Sequence, residues 1–497
     1  MKDTTPDEVQ TSLGSEAKTM LRHSMIYGLG ILMNRVISFL MIPVYTRYLI
    51  PAQYGILELL SLTTELIGML LSMRISRAMY RFYFEYTSEK DKNEVISTGM
   101  LSFGLLGLAG LTIASFFSGY LAEMILDSRQ YAYYFNISFV SLWFNTLNMM
   151  GYDYLQVNKK SALFVSLSSL KLLLNVSCNI YFIVFAEMGV LGVLYGNLIS
   201  SIAMTLILVG PILFKVGVRF SKEKLSELLR FGLPLIPGAL SNFAVLASDR
   251  YFVKFFGSLA DAGIYSLSYK FSIITHSFVT IPFFNIWSVR RLELMKHKDS
   301  EKILGRIITY FFIVVTFISL GVSALAKDTL RLITSQGYWE ASIYIPILAL
   351  SYLVYSLFDH FVANILIEKK TKYISYIDIG NGALNIILNI FLIRRYGIYG
   401  AAFATLISYT IRIFSIYIIS TMLGKVYFEF WRCSKILLSA MIVFFVCSYI
   451  DTNSSIVNLC LKSSIVILWP LALYFLRVLR KEELFWLKNI ITSKFSF

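Results

Sequence analysis

Two stretches of this 497-residue chain repeat each other at a nearly constant separation. Residues 159–180 and 369–390 each begin with two lysines and a hydroxyl residue, continue for twelve residues and end in a Leu-Asn run. Residues 189–200 match residues 397–408 at an offset of 208. That offset also joins four earlier pairs: Asn34 with Asn242, Gly55 with Gly263, Ile56 with Ile264 and Leu59 with Leu267. One offset that recurs in several places indicates a duplicated unit, so the fold has to accommodate two copies of the same arrangement.

The residues between the matching stretches are mostly apolar. The chain is 57% hydrophobic and 15% charged, whereas a soluble domain is about one-quarter charged. Apolar runs of about 20 residues, the length of a membrane-crossing helix, recur from end to end. We predict fourteen spanning helices, at residues 21–43, 55–76, 95–119, 132–152, 162–185, 188–212, 231–253, 263–288, 303–326, 341–365, 373–393, 397–421, 435–450 and 456–476. The duplicated unit is therefore expected to lie in a membrane.

Positively charged residues predict how these helices are oriented. Most of the 45 lysines and arginines fall in alternate loops, for example at residues 77–92, 215–230, 290–302 and 369–372. Lysine and arginine accumulate in the cytoplasmic loops of membrane proteins. Residues 1–20 are polar and lack the apolar core of a signal peptide. We therefore expect both termini in the cytoplasm and an even number of spans.

The repeats and the orientation together predict the organisation of the chain. Six helices per copy is an even number, so the copies face the same way and form parallel repeats, an arrangement found in transporters. We predict an all-α integral membrane protein of about 14 helices, in which two parallel six-helix bundles surround a central cavity and two helices follow. The expected parts are a cytoplasmic tail at 1–20, an N-terminal bundle at 21–213, a basic cytoplasmic linker at 214–230, a C-terminal bundle at 231–421, and two additional helices with a cytoplasmic tail at 422–497.

A stripe of polar side chains recurs in the fifth helix of each predicted bundle. Positions spaced four residues apart share one helix face. In the two copies these positions are occupied by Lys171, Asn175 and Asn179 and by Asn381, Asn385 and Asn389. Polar groups are costly in contact with lipid. Two interpretations are open: hydrogen bonds between neighbouring helices, or the lining of a hydrated interior.

Several cations fall within the predicted spans, among them Arg35, Lys171, Arg250, Lys270 and Arg412. Each costs about 2.5–3.5 kcal/mol at a helix centre in lipid, so most should face a cavity, a partner charge or the membrane interface. The spans hold fewer carboxylates, which predicts a positively biased interior suited to an anionic substrate. We interpret Arg35, Arg250, Lys270 and Lys171 as candidate substrate-binding residues, with salt bridging as the alternative. Arg412, near the predicted inner face, is interpreted as a topology or lipid-headgroup residue.

Other ionisable groups in these spans are candidates for coupling to an ion. A desolvated carboxylate or imidazole can change its protonation state. The candidates are Glu65, Asp249, His276 and Asp378. The alternative is a structural hydrogen bond for His276 and an ion pair with a neighbouring cation for Asp249. No cofactor is expected besides a coupling H⁺ or Na⁺, because the sequence contains no metal-ligand spacing.

Three segments carry a resemblance to a known family. Residues 249–270 read DRYFVKFFGSLADAGIYSLSYK, and FFNIWS follows at 283–288. Together they resemble the helix 7–8 region of Wzx-type polysaccharide flippases, which belong to the multidrug/oligosaccharidyl-lipid/polysaccharide exporter superfamily. Residues 34–59 resemble that family's first helix and first outer loop.

The resemblance implies a function. Such proteins move an undecaprenyl-diphosphate-linked oligosaccharide across the bacterial cytoplasmic (inner) membrane by alternating access. The glycan serves the synthesis of lipopolysaccharide O-antigen, capsule or exopolysaccharide. Membrane lipids, a polysaccharide polymerase and a chain-length regulator are the implied partners. Arg35, Arg250 and Lys270 would contact the diphosphate or acidic sugars.

Other functions are consistent with part of the sequence. A lipid II flippase would also carry a prenyl diphosphate, whereas a multidrug or cation exporter of the same superfamily would favour more carboxylates in its interior. A membrane enzyme of polysaccharide assembly would need paired carboxylates in an outer loop or a nucleophile–base set, and the sequence shows neither. A scaffold for other polysaccharide enzymes remains open. Nucleic acid is not an expected partner, because the positive charge follows the loops.

Overall fold

The computed structural model describes Gly30, Met33, residues 36–294 and residues 300–478. Within these residues every regular element is a helix. Helices satisfy all their backbone hydrogen bonds internally, as a membrane-spanning segment must. In the described part of the chain, ten helices are long and apolar enough to cross a membrane, or eleven if the bent pair Lys222–Ser241 and Phe243–Phe256 forms one span. The prediction of an all-α integral membrane protein is confirmed.

The structure does not confirm the predicted number of fourteen spans. Ten of the predicted segments correspond to Pro51–Leu71, Glu89–Phe116, Ser161–Phe185, Val190–Val216, Ile303–Ile333, Gln336–Ile367, Lys372–Tyr396, Ile398–Leu423, Phe430–Tyr449 and Ser455–Phe475. The segments predicted at 132–152 and 263–288 are largely helical but are not among the ten. Most of the segment predicted at 21–43 lies outside the described residues.

The chain divides into two compact units, Met1–Ala247 and Ser248–Phe497. In the first unit the α-helices are α1 (Ile42–Tyr48), α2 (Pro51–Leu71), α3 (Ile75–Glu85), α4 (Glu89–Ser102), α5 (Leu108–Phe116), α6 (Ser118–Leu126), α7 (Ala132–Val157), α8 (Ser161–Ile180), α9 (Val190–Val216), α10 (Lys222–Gly232) and the first part of α11 (Ile236–Phe256). Single π-helical turns, Phe103–Gly107 and Tyr181–Phe185, follow α4 and α8.

The second unit begins within α11. Its other α-helices are α12 (Leu259–Ser272), α13 (Ile281–Leu294), α14 (Ser300–Ile333), α15 (Ala341–Tyr355), α16 (Phe358–Phe361), α17 (Ala363–Ile367), α18 (Lys372–Tyr396), α19 (Ile398–Leu423), α20 (Phe430–Tyr449) and α21 (Ser455–Phe475). A π-helical turn, His276–Thr280, joins α12 to α13.

The segment predicted as a linker is packed within the first unit. Residues 214–230 comprise the end of α9 and most of α10. Val216 and Leu228 are buried there in a core that also contains Met79, Met150 and Leu208. The repeat boundaries proposed from sequence stay a prediction.

The two units share local backbone geometry at equivalent positions. Lys159 and Lys369 both take φ 55°, which is uncommon for a residue with a side chain. Gly189 and Gly397 precede α9 and α19 with φ 57° and 56°. The turn that contains each of these lysines is closed by an equivalent hydrogen bond, from Lys160 N to Leu155 O (2.9 Å) and from Lys370 N to Ile365 O (3.0 Å).

The asparagine stripe forms the same hydrogen bonds in both units. In each copy one asparagine donates to a serine on the next helix, and the asparagine one turn later donates to the first. The bonds are Asn175 to Ser200 (3.1 Å) and Asn179 to Asn175 (3.1 Å), and Asn385 to Ser408 (3.1 Å) and Asn389 to Asn385 (3.0 Å). These contacts support the first interpretation, hydrogen bonding between neighbouring helices.

Close packing at Gly400 gives a testable consequence. A Cβ added there would lie 2.1 Å from the main-chain oxygen of Leu392, so an alanine forces the backbones of α18 and α19 apart. We expect Gly400→Ala to destabilise the protein by about 1–3 kcal/mol and to lower its thermal unfolding midpoint in detergent. Gly380→Ala is the control, because nothing lies within 4 Å of its added carbon. An equal loss in both variants would contradict the close approach.

The two helices after the second repeat are integrated into the second unit. Trp469 of α21 is buried, and its Nε1 donates to Ser439 Oγ of α20 at 3.1 Å. Lys462 Nζ of α21 lies 2.6 Å from Asp328 Oδ2 of α14, and both side chains are buried. Asn458 donates to the other oxygen of Asp328 at 3.0 Å. A buried, hydrogen-bonded ion pair therefore holds α21 against α14.

A second ion pair lies at the same end of these helices but at the surface. Asp451, in the loop between α20 and α21, accepts a hydrogen bond from Lys327 at 2.7 Å and lies 3.6 Å from Arg331. The hydrogen bond from the Lys327 ammonium lowers the pKa of the Asp451 carboxyl below its ordinary value. The pair is solvent-exposed, so it contrasts with the buried pair of Asp328.

Candidate functional site

An arginine and an aspartate adjacent in sequence are buried together in α11. Asp249 is 1% exposed and Arg250 5% exposed. Arg250 Nη1 lies 3.2 Å from Asp249 Oδ1, which also accepts from the Arg250 main-chain N–H at 2.9 Å. The Tyr265 hydroxyl donates to Asp249 Oδ2 at 2.6 Å. The structure thus contains the ion pair that was the alternative interpretation for Asp249, with both oxygens hydrogen-bonded.

Tyrosines from three helices surround this pair. Tyr265 and Tyr269 are four residues apart on α12, so they share one helix face. The Arg250 guanidinium lies 3.8 Å from the centroid of the Tyr269 ring, within cation–π range. Tyr352 of α15 packs edge-on against Tyr269 at 5.4 Å, and its ring centroid lies 6.2 Å from that of Tyr409 of α19.

Arg412 is buried at the other side of these tyrosines. Its Nε donates to Asp378 Oδ1 at 2.8 Å, which joins α19 to α18. Its guanidinium lies 4.1 Å from the Phe358 ring centroid and 5.3 Å from that of Tyr355. The interpretation of Arg412 as a headgroup residue is wrong, because a carboxylate and two aromatic rings cover it. We refer to Asp249, Arg250, Tyr265, Tyr269, Tyr352, Tyr355, Asp378, Tyr409 and Arg412 as the arginine–tyrosine cluster.

His276 contacts this cluster from the π-helical turn. Its ring centroid lies 5.1 Å from that of Tyr355 and 5.9 Å from that of Tyr352. A π-helical turn widens a helix locally and occurs frequently at functional sites. The turn therefore places the His276 imidazole against the aromatic side of the cluster. Its role in ion coupling stays a prediction.

The asparagine stripe of the second unit adjoins the cluster. Ser248, next to Asp249, donates to Asn385 Oδ1 at 3.5 Å. Ser408, next to Tyr409, accepts from Asn385. Buried polar atoms in native proteins nearly always have a protein or water partner. Three groups here have no hydrogen-bond partner in the part of the chain that the structure describes: both amide atoms of Asn381, Asn389 Oδ1 and the Tyr409 hydroxyl. These groups favour water beside the cluster, so the two interpretations of the stripe do not exclude each other in the second unit.

The first unit places Lys171 in a smaller polar cluster. Lys171 Nζ donates to Asn145 Oδ1 of α7 at 2.6 Å. One turn further along α8, Asn175 donates to Asn197 Oδ1 at 2.6 Å. Asn179 donates to the Tyr45 hydroxyl at 2.9 Å. Lys171 is therefore hydrogen-bonded to a neutral side chain, unlike Arg250 and Arg412.

Three further candidates take no part in the contacts described above. Glu65 lies on α2 with an exposed side chain, and Lys270 lies near the end of α12, half-buried. Arg35 lies outside the described residues. Of the eight residues chosen from sequence, three belong to the arginine–tyrosine cluster and one contacts it. These are Asp249, Arg250, Asp378 and His276.

The cluster is chemically suited to an anionic group. The planar guanidinium binds phosphate or carboxylate through two parallel hydrogen bonds and stacks on aromatic rings. An anion that entered here would replace a carboxylate as acceptor, and it could take a further hydrogen bond from the Tyr409 hydroxyl. Within the described residues, no group of three or more His, Cys, Asp and Glu side chains is placed to hold a metal ion.

Sequence reasoning missed the aromatic part of the site. The tyrosines of the cluster come from α12, α15 and α19, so their proximity depends on helix packing. The spacing of Tyr265 and Tyr269 was a usable signal, because two tyrosines on one face of a helix beside an intramembrane Asp-Arg pair are suitable hydrogen-bond and cation–π partners.

Three solved structures have the same fold. The lipid II flippase MurJ in an inward closed conformation aligns with a TM-score of 0.73 and 17% identity, over 91% of this chain and 99% of MurJ. An inward-facing multidrug resistance MATE family transporter of the MOP superfamily gives 0.63 and 13%, over 82% and 99%. The Vibrio cholerae MATE transporter VcmN in the bent form gives 0.51 and 16%, over 84% and 100%. At these identities the likeness establishes the fold.

A family model described as polysaccharide biosynthesis protein matches residues 20–287. No curated protein sequence matches the chain. The matched region covers just over half of the chain. It includes residues 34–59 and 249–270, on which the flippase resemblance rests, and the α11 and α12 members of the arginine–tyrosine cluster.

Proposed function

This chain belongs to the polysaccharide biosynthesis protein family, and from that membership we propose that it is a flippase for a lipid-linked oligosaccharide. The proposed substrate is an undecaprenyl-diphosphate-linked repeat unit, moved across the cytoplasmic membrane by alternating access of two bundles around a central cavity. The family match is the observation that carries this proposal. The fold, which is that of lipid and drug transporters, supports movement of a substrate rather than its chemical conversion.

The buried arginines support an anionic substrate. A diphosphate offers the acceptor oxygens that guanidinium groups bind best. We propose that Arg250 acts with Arg35, Lys270 and Lys171 on the diphosphate or acidic sugars while the prenyl tail stays in lipid. Asp249 would compete with the substrate for Arg250, so that binding is reversible.

The same exchange suggests a way to couple transport to an ion. A carboxylate released from its arginine would be free to bind H⁺ or Na⁺ inside the membrane. Asp249 and Asp378 have this arrangement, and His276 and Glu65 are the other proposed groups. We propose no cofactor besides the coupling ion.

The proposed membrane orientation and partners follow from the charge of the loops and from the family. We propose that both termini lie in the cytoplasm, because the basic loops alternate with poorly charged ones along the sequence. A polysaccharide polymerase and a chain-length regulator would act on the product at the outer face. The glycan would serve O-antigen, capsule or exopolysaccharide synthesis.

Deletion of the gene tests the proposal. Complete lipid-linked repeat units should accumulate in the cytoplasmic leaflet, because synthesis continues without export. The measurement is extraction of prenyl-linked glycans combined with a leaflet-selective glycosidase or periodate treatment of spheroplasts. Re-expression of the intact protein should restore surface glycan. Normal delivery of the units to the outer leaflet in the deletion strain would overturn the assignment.

The same experiment separates the alternatives. If the protein were a lipid II flippase, its depletion would cause cell lysis and the peptidoglycan precursor would accumulate. A multidrug exporter would leave both lipid pools unchanged and raise the sensitivity to cationic drugs. We favour the polysaccharide substrate because of the family description, since a fold shared with both MurJ and the MATE transporters does not identify the substrate.

Substitution of Arg35 and of Lys270 tests substrate contact. We expect Arg35→Ala and Lys270→Ala each to lower surface glycan output about tenfold or more, in keeping with the loss of a charged hydrogen bond of about 1.5–3 kcal/mol. Membrane abundance should be unchanged. Lys254→Ala, which removes a different buried cation on α11, provides the control. Output equal to that of the unmodified protein would remove both residues from the site.

A further inference from the structure

The second unit contains a cavity that shares no lining residue with the arginine–tyrosine cluster. Its volume is about 360 Å³, at the lower end of small-molecule sites and far larger than the roughly 30 Å³ that one water occupies. The end of α13, the short helices α16 and α17, and the connector between α19 and α20 surround it. Its polar lining residues are Arg291, His360, Asn364, Glu368, Lys425 and Tyr427.

Arg291 is a buried cation that forms no salt bridge with another described residue, and the Asp359 carboxylate is near enough to act on its charge. It is 7% exposed. Its Nη1 donates to the main-chain oxygen of Asp359 at 3.0 Å, and its buried Nε has no hydrogen-bond partner among the described residues. By contrast, three other buried cations of this unit each form a salt bridge: Arg250 with Asp249, Arg412 with Asp378 and Lys462 with Asp328. A buried cation that is not in a salt bridge is costly, and an anion in this cavity would supply the acceptor that the Arg291 Nε lacks.

His360 adds an acceptor to the same cavity. It is also 7% exposed. Its Nε2 lies 3.1 Å from the main-chain oxygen of Tyr427. Because a carbonyl oxygen only accepts, the proton belongs on Nε2, and Nδ1 is left as an acceptor. Nδ1 has no hydrogen-bond partner within the described ranges of the chain. The Glu368 carboxylate supplies a second acceptor at the rim.

This combination defines a chemical class. The cations Arg291 and Lys425 suit a phosphoryl group, whereas His360 and Glu368 suit hydroxyl groups. A bare phosphate would fill only part of the volume and use none of the acceptors. We propose that this cavity binds a phosphorylated polyol, supplied either by the headgroup of an anionic glycerophospholipid or by a soluble sugar or glycerol phosphate. The basic loops at 290–302 and 369–372 place it at the side predicted to be cytoplasmic.

Binding here would bridge separate parts of the unit. Asn364 of α17 already donates to the main-chain oxygens of Ser420 and Lys425 at 3.3 and 3.2 Å. A ligand held by Arg291 and Lys425 would link α13 to the same connector, which leads to α20. It should therefore order the connector and raise the stability of the whole unit.

The test uses the full-length protein purified in neutral detergent and in nanodiscs. We expect glycerol 1-phosphate in detergent, or phosphatidylglycerol relative to phosphatidylcholine in nanodiscs, to raise the thermal unfolding midpoint. Hydrogen exchange at residues 423–429 should slow at the same time. Arg291→Gln should weaken the effect roughly tenfold or more in ligand concentration. Arg290→Gln is the control, because it removes the same charge from an exposed neighbour.

Each outcome of this test has a defined interpretation. An effect of phosphatidylglycerol alone identifies a lipid headgroup, and an effect of glycerol 1-phosphate alone identifies a soluble ligand; both outcomes support the site. Lys425→Glu decides the question if Arg291→Gln does not fold, because Lys425 is exposed, and Lys370→Glu is its control. No response to either probe, or an equal response in Lys425→Glu and the unmodified protein, would overturn the proposal. Neither result would bear on glycan transport, which depends on other residues.

Discussion

Asp249→Ala is expected to destabilise the protein by about 3–5 kcal/mol, the usual consequence of leaving one charge of a buried pair without its partner. Arg250 would keep its place between Tyr269 and the helix backbone, but no other carboxylate is bonded to it among the contacts described above. The Tyr265 hydroxyl would lose its acceptor as well. The measurement is the unfolding midpoint in detergent together with the amount of protein in the membrane.

The double variant Asp249→Asn/Arg250→Gln separates stability from transport. Replacing both members of a buried pair by neutral groups is often close to neutral for stability. We expect the double variant to recover most of the lost stability and yet to deliver no glycan to the surface, because it lacks the buried cation. A double variant that folds and transports normally would show that Arg250 has only a structural role. Asp249→Ala with unchanged stability would contradict the burial of the pair.

Lys462→Met is expected to cost a similar 3–5 kcal/mol, because it removes the cation and leaves the buried Asp328 carboxylate with the neutral donor Asn458. The loss should appear as release of α21 from α14. We expect faster hydrogen exchange and proteolysis in Ser455–Phe475 before the rest of the protein unfolds. Asp328→Asn/Lys462→Met should restore protection of this helix.

A matched control exists on the same helix. Lys327 is adjacent to Asp328 and pairs with Asp451, but that pair is exposed. Exposed ion pairs contribute about 0–1 kcal/mol, so Lys327→Gln should leave the unfolding midpoint within about that range. If Lys327→Gln and Lys462→Met had equal effects, burial would not be the cause of the difference.

Several features of the fold could be predicted from sequence because they repeat or alternate. The matched stretches predicted equivalent structures, and Lys159 and Lys369 do share an unusual backbone conformation. The asparagine stripes predicted polar contacts along one helix face, and Asn175 and Asn385 do form equivalent bonds. These properties depend on residues close together in the chain or on a copied pattern.

The partners of the intramembrane charges could not be predicted in the same way. Arg412 was assigned to the headgroup region from its position along a helix, but its neighbours Asp378 and Phe358 come from two other helices. Lys462 lies within the last predicted span. Its carboxylate partner lies 134 positions earlier in the chain, and no local pattern connects the two.

The amino-acid sequence by itself determined that this chain is a duplicated, helical membrane protein with cations inside its spans, because hydropathy, loop charge and repetition are local properties. Only the tertiary structure decided what those cations contact, since a guanidinium or ammonium group in a low-dielectric interior takes its counter-charge from whichever helix packs against it. It placed Arg250 and Arg412 with carboxylates among tyrosines, and left Arg291 beside an open cavity.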